Sequence, residues 1–382
     1  MSAVNWSKLR GEFPALAKWT YLDWARKTLP PRCQREVIEE YCDDIVETAG
    51  ADAWSALNVA ETRKAMAELL GAKPAEIAFT KNTTEGLLIA AHAFDLRPGD
   101  NIVLTDMEHT ANLWVWQHWV DKGVEIRKAK NRGGRLPLDA FLEQIDARTR
   151  VVSTAYVTYG NGYRVDLPAL GTACRERDIR LVVDGVQAAG VLAAPLSSLN
   201  ADLVAIGGHK SLFGLTGAGL LYCREELIDQ LRTPFLKAPV AAGSAAASAH
   251  LNSQFDYFRT AHRFEGGNPN FLGLRVLRRS AAMISGIGVQ NIEARVQALT
   301  SHLLGLVAKA GLTTTTPAEW SERAQIVSVP VANAGDLMNR LREKHRVIVN
   351  VKDDAIRISL GFSNSEDDLE RAIAAIRSEL GR

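Results

Sequence analysis

From about residue 73 to residue 223 the chain alternates short runs of β-branched residues with amphipathic stretches of helix length, and few architectures accommodate that alternation. The runs fall at 76–80, 101–105, 124–129, 151–157, 180–184, 203–207 and 219–223. Between them, residues 83–94, 111–122 and 167–177 carry apolar side chains at three- and four-residue spacing. Strands joined by helices of this length run mostly parallel, because a parallel pair needs a long crossover. The pattern predicts an α/β fold with one large, mostly parallel, seven-stranded sheet.

A chain of 382 residues exceeds what one hydrophobic core usually organises, so a second, smaller unit is expected. Beyond residue 226 the alternation loosens, and 238–249, nearly all Ala, Gly and Ser, reads as an irregular excursion. Helical segments at 270–284 and 289–310 are followed by a strand (326–331), a helix (334–344), strands at 347–351 and 355–360, and a helix from 366. That is a compact C-terminal α+β domain. The expected division is an N-terminal segment, 1–20, packing with the small domain; a large domain, 21–265; and linking helices plus the small domain, 266–382.

Lys and Arg number 45 against 44 Asp and Glu, with no long run of either sign, which argues against a nucleic-acid partner. No stretch approaches the roughly 18 apolar residues of a membrane span, and residues 1–13 lack the apolar core of a signal peptide. Cys33, Cys42, Cys174 and Cys223 are far apart and form no CxxC, so neither a metal site nor a disulfide framework is indicated and a reducing cytoplasm is expected. A nicotinamide dehydrogenase would need a Gly-x-Gly-x-x-Gly turn after an early strand, and none occurs.

Candidate chemistry gathers where runs end. Asn82-Thr83-Thr84-Glu85 opens a helix, whose first amides and dipole favour an anion such as a phosphate; a capping box from Asn82 to Glu85 would need no ligand at all. Asp184 ends a buried run, where an anion would keep a pyridine nitrogen protonated, although an Asp-Gly turn is the plain structural alternative. Gln187, three residues on, could reach such a ring's phenolic oxygen.

Gly207-Gly208-His209-Lys210 ends another run. Its glycines admit a bulky ligand near the backbone, and a lysine there can be tuned for imine chemistry, whereas most lysines are solvated surface charges. His109, ahead of a helix, is placed to lay its imidazole on a ring and move protons; a surface histidine is the alternative. Arg357 and Ser359 share one face of an alternating strand, and a guanidinium there is either an outward charge or a clamp for an amino acid's carboxylate.

In chain order these segments resemble the class V aminotransferase family of fold-type I, pyridoxal-phosphate (PLP) enzymes, specifically its cysteine desulfurase and selenocysteine lyase branch. The resemblance rests on the segments at 79–85, 107–109, 183–190, 208–210, 214–217 and 263–270, and runs from Tyr21-Leu22-Asp23 to Arg357. It implies a homodimer with shared active sites and PLP as cofactor, with Lys210 the Schiff-base lysine, Asp184 the pyridinium partner and His109 the ring-stacking residue. Gln187 would contact the phenolic oxygen. Thr84 and His209 would hold the phosphate, with Thr83 beside them at the helix start, and Asn268 would reach that of the neighbouring subunit. Arg357 aligns with the arginine that binds the substrate's carboxylate.

The departures fall on the substrate side. Cysteine desulfurases carry a nucleophilic Cys ahead of that arginine, but Asn350-Val351-Lys352-Asp353-Asp354-Ala355 has none. Gly207 replaces a serine, Tyr159 an active-site Asn, and Trp24-Ala25-Arg26 an Asn-Ala-Ala, so Trp24, Arg26 and Tyr159 join the substrate-binding candidates. The expected reaction starts at the α-carbon of an amino acid and proceeds by transamination or by β-elimination of the carbon-sulfur lyase type. The alternatives are an epimerase related to isopenicillin N epimerase and a PLP-binding protein without catalysis.

Overall fold

A computed structural model of the chain describes residues 4–233 and 258–381. The Ala/Gly/Ser-rich stretch at 238–249 lies outside them. Ahead of the sheet come α1 (Trp6–Gly11), β1 (Thr20–Tyr21), α2 (Arg32–Thr48) and α3 (Ala56–Leu70). α2 buries only Gln34 and Val37. α3 starts at the Ser55 cap and stops at Gly71, whose φ of +65° suits glycine.

The alternating region gives β2 (Ile77–Thr80), α4 (Thr83–Ala93), β3 (Asn101–Thr105), α5 (Thr110–Trp114), α6 (Gln117–Val120), β4 (Glu125–Ala129), α7 (Leu138–Leu142), β5 (Thr149–Ala155), α8 (Leu167–Arg175), β6 (Arg180–Asp184), β7 (Leu203–Gly207) and β8 (Gly219–Cys223). All seven strands stand in one sheet, in the order β2-β8-β7-β6-β5-β3-β4, and only β8 runs against its neighbours. The helix predicted over 111–122 breaks in two. Its buried indoles are tied to different partners, Trp116 to the Asn112 side chain at 3.4 Å and Trp119 to the Ala91 carbonyl at 2.8 Å.

Helices cover both faces, so the inner strands are apolar on both sides rather than alternating. On β6, Leu181 and Val183 enter one core while Val182 enters the other. The edge strand β4 instead exposes Glu125 and Lys128. Charged side chains on an edge discourage pairing with another chain.

The C-terminal part comprises α9 (Phe271–Ile287), α10 (Val289–Lys309), β9 (Ile326–Pro330), α11 (Ala334–His345), β10 (Val347–Ile348), β11 (Asn350–Lys352), β12 (Ala355–Ser359) and α12 (Glu366–Glu379). Leu274, Leu277 and Ile284 of α9 belong to the large core, while Leu299, Leu303 and Val307 of α10 join a separate one. β11, β12 and β9 form an antiparallel sheet, and β10 pairs with β1. The strand predicted at 347–351 thus divides at Val349, its halves pairing with different partners. The first twenty residues touch both units: Arg10 is bonded to Asp368 of α12 at 2.6 Å, while Phe13 and Leu16 pack in the large core. Among the described residues no helix is long and apolar enough to cross a membrane.

α4 must lie close to β7 to present its N-terminus at the sheet edge. A Cβ on Gly86 of α4 would stand 2.9 Å from the Cβ of Ala205. Gly86→Ala is expected to lower stability by about 1–3 kcal/mol through overpacking. Ala205→Gly in the same chain should recover part of the loss, measured by urea unfolding of the single and double variants.

Candidate active site

At the carboxyl ends of β6 and β7 a cavity of about 660 Å³ opens between the large sheet and the C-terminal unit. β6 delivers Asp184, which is buried and accepts a hydrogen bond from the Val186 amide at 3.0 Å. Burial pushes the carboxyl's pKa up, opposed by Lys210 and by that hydrogen bond. β7 ends at Gly207, and a Cβ on Gly208 would meet the Ala218 carbonyl at 2.6 Å, so the backbone can take this path only with glycine. Lys210 lines the cavity two residues later. Its pKa is lowered to about 8 because packed protein surrounds the amine, and Asp184 partly offsets the effect.

The α4 terminus supplies Thr83 and Thr84 to the cavity. The cap predicted for Asn82 is present, its side chain accepting from the Glu85 amide at 2.9 Å, so the terminus is formed without a ligand. A Cβ on Gly207 would lie 2.8 Å from the Thr83 hydroxyl and 3.1 Å from the His209 ring. Glycine at 207 therefore makes room for Thr83 and His209 together. Two polar atoms here, His209 Nδ1 and Gln187 Oε1, are buried without a hydrogen-bond partner, while Gln187 Nε2 donates to the Ala25 carbonyl at 2.9 Å. Buried polar atoms are rarely left unpaired, so a polar ligand fits this wall.

His109 caps α5, its Nδ1 accepting from the Ala111 amide at 3.2 Å, which leaves Nε2 to carry the proton of the neutral ring. Burial lowers its pKa first, with Lys210, Lys352 and Arg357 adding to the effect. Beneath it lies Glu108, which the sequence offered only as the middle of Met-Glu-His. Its carboxylate accepts from Thr105 Oγ1 and Asn112 Nδ2, both at 2.8 Å, and from the Ala155 amide at 3.1 Å. Burial pushes its pKa up to about 7.

Across the cavity β12 presents Arg357, 3 % exposed. One guanidinium nitrogen donates to the Tyr159 carbonyl at 2.9 Å and another to Asp23 at 3.1 Å. Asn350 also donates to Asp23, at 3.0 Å. The ring of Tyr159 meets His109 edge-on, centroids 5.2 Å apart. Arg26 lies at the rim, its side chain 70 % exposed.

Trp24 does not belong to this site. It is 2 % exposed, its indole donates to the Tyr21 carbonyl at 3.1 Å, and its ring packs edge-on to Phe13, Tyr21 and Phe213. Gly361 leaves the space: a Cβ there would stand 2.8 Å from the indole. Asn268 is exposed ahead of α9 and does not line its own chain's cavity. Residues lining it beyond those predicted include Asp23, Arg342, Asn350 and Lys352. Asp23 stands in the Tyr-Leu-Asp segment, and the others carry no motif.

The model of the family described as Aminotransferase class-V matches residues 20–372. The chain belongs to the class V aminotransferase family. It is 27% identical to a cysteine desulfurase of Cronobacter sakazakii over 97% of each chain. The apo structure of the cysteine desulfurase from Thermococcus onnurineus NA1 superposes with a TM-score of 0.88 at 25% identity, covering 100% of both chains. The cystine C-S lyase C-DES, solved with its reaction product cysteine persulfide, shares the fold, with a TM-score of 0.87 at 21% identity over 96% of this chain and 99% of that one. This class V aminotransferase is accordingly a PLP-dependent enzyme acting on amino acids, of the transferase or lyase kind.

The depressed pKa of Lys210 has a thermodynamic consequence in the cofactor-free protein. Below pH 8 the amine is charged in both states and the folded state bears the burial penalty; between about 8 and 10.5 only the unfolded chain binds the proton, so stability rises with pH. Lys210→Met is expected to unfold at higher urea than the parent at pH 7, by about 2 kcal/mol after allowance for cavity water. The gap should close as pH approaches 10.5. A gap independent of pH would contradict the assignment.

Proposed function

We propose that PLP is anchored at Lys210 and that the enzyme acts at the α-carbon of an amino acid or amino-acid derivative, by transamination or by β-elimination of the carbon-sulfur lyase type, without passing sulfur to a protein thiol. The observation that supports this reading is where the thiols lie. Cys33 and Cys42 are on α2, Cys174 and Cys223 are buried in the cores, and no cysteine lines the cavity.

In this reading the large domain, 21–265, holds the cofactor and the C-terminal unit closes the substrate side. Thr83 and Thr84, at the α4 terminus, receive the phosphate together with His209, whose Nδ1 lacks a partner. Asp184 would keep the ring nitrogen of bound PLP protonated, Gln187 would face its phenolic oxygen and His109 would lie against the ring. When bound, PLP supplies an electron sink for the pair left at the α-carbon. Arg357 grips the α-carboxylate, with Tyr159 and Arg26 beside the substrate. The Lys210 amine, with its pKa lowered to about 8, is neutral often enough near physiological pH to take the α-proton and return it. Asn268, exposed and outside its own cavity, serves the phosphate site of a second copy in a homodimer. The four free thiols suit a reducing cytoplasm.

Protein supplied with PLP is expected to show the visible absorbance of lysine-bound cofactor, and Lys210→Ala to lose both that band and, with its general base, about 1,000-fold of turnover or more. Keto acid and ammonia released without an amino acceptor would identify elimination; keto acid formed only with an acceptor would identify transamination. A protein that stays colourless with added PLP, indistinguishable from Lys210→Ala, would refute the reading, as would a sulfur-carrying cysteine found after turnover.

A further inference from the structure

The cavity holds more positive charge than its two carboxylates neutralise. Asp184 stands on the cofactor wall beside Lys210. Asp23 is already shared by Arg357 at 3.1 Å and Asn350 at 3.0 Å, with Arg26 at 4.0 Å. Lys352 and Arg342 also line the cavity, and neither has a carboxylate partner among the described residues. Lys352 lies over the Tyr159 ring at 5.8 Å and Arg342 over Trp19 at 5.7 Å. Asp353, next in the chain, does not line the cavity, although its carboxylate lies near Gly160 and adds to the burial that raises the pKa of Tyr159.

The position of Lys352 follows from strand register. Asn350 pairs with Arg357 and Lys352 with Ala355 across β11 and β12. Residues two apart on a strand share a face, so Lys352 projects to the same side as Asn350 and Arg357, about 7 Å further along. Its flexible stem adds reach over Tyr159. A guanidinium for one carboxylate and an ammonium one strand step away match the two ends of a small dicarboxylate.

Resting on the proposed amino-acid chemistry, we propose that the substrate is an amino acid whose side chain ends in a second carboxylate, with Lys352 as the residue that reads it. The α-carboxylate goes to Arg357, and the distal one replaces cavity water at Lys352. A neutral side chain of the same size leaves the Lys352 charge uncompensated in a partly enclosed site, and charge-assisted hydrogen bonds are the stronger ones.

The test compares isosteric pairs on the PLP-loaded enzyme: L-glutamate with L-glutamine, and L-aspartate with L-asparagine. The dissociation constant is read from the change in visible absorbance, and kcat/KM is measured separately. The acidic member is expected to be favoured by about tenfold or more, as for a lost charge-assisted contact. In Lys352→Gln that preference should fall about tenfold, in Lys352→Glu it should invert, and the surface variant Lys64→Gln should keep it. Glutarate, which has no amine, should bind tighter than pentanoate by calorimetry, and Lys352→Gln should remove the difference. Equal handling of acidic and neutral partners, or a preference untouched by Lys352→Gln, would overturn this assignment while leaving the amino-acid chemistry standing. A spectrum that responds to no amino acid would overturn both.

Discussion

Lys210, Asp184 and Glu108 are withdrawn from bulk water at the carboxyl ends of the sheet, and the rest of the fold compensates for that withdrawal. Ionisable groups leave water at a cost that only partners and burial of apolar surface elsewhere can offset. The strands provide both. β6 and β7 are apolar on both faces, so two cores hold the sheet edge in place. Glu108 receives hydrogen bonds from Thr105, Asn112 and the Ala155 amide, and Asp184 receives one from Val186. His209 Nδ1 and Gln187 Oε1 are left without a partner, so the compensation is incomplete on the wall where a polar ligand would complete it.

The opposite wall is built from three separate parts of the chain. Asp23 comes from the N-terminal segment, Arg357 and Asn350 from the C-terminal sheet, and Tyr159 from the loop after β5. The backbone reinforces the junction, since the Ser359 amide donates to the Leu22 carbonyl at 2.8 Å and Asp23 bridges Ser359 in parallel. Arg357 is held in one orientation before any substrate arrives, its two terminal nitrogens bonded and its Nε buried without a partner. A buried ion pair is weak evidence of stability, and fixing one arrangement is its better supported use. Asp23 also sets a condition on the site: a carboxylate arriving at Arg357 must share the guanidinium with it.

The inner strands were legible because their runs are short and apolar on both faces, as strands covered by helices on both sides require. The strands 101–105, 180–184, 203–207 and 219–223 fall as expected, and the others shift by one or two residues at their ends. Motif residues at strand ends were legible for the same reason: topology fixes where Asp184 and Lys210 must emerge. Trp24 was not, because the direction of its ring depends on Gly361, Phe13 and Phe213, distant in sequence. Nor was the ion pair between Asp23 and Arg357, which joins residues 334 apart. Local pattern reports which residues share a face but not what the opposing element brings to it.

The hairpin joining β11 to β12 shows why the missing cysteine matters beyond one side chain. Asp353 and Asp354 make the turn with φ of +47° and +56°, and Lys352 and Ala355 close it as a pair. Positive φ at both central residues is the two-residue hairpin that follows the twist of its strands and fixes their register. The backbone of so short a connection cannot swing across a cavity to carry a residue to a leaving group. Its register keeps a charged residue on the same face as Arg357, one strand step along. In the proposed reading an ammonium on this hairpin stands in the segment where the resemblance would place a thiol, so this edge of the site would sort substrates by charge and leave bond breaking to the wall that carries Lys210.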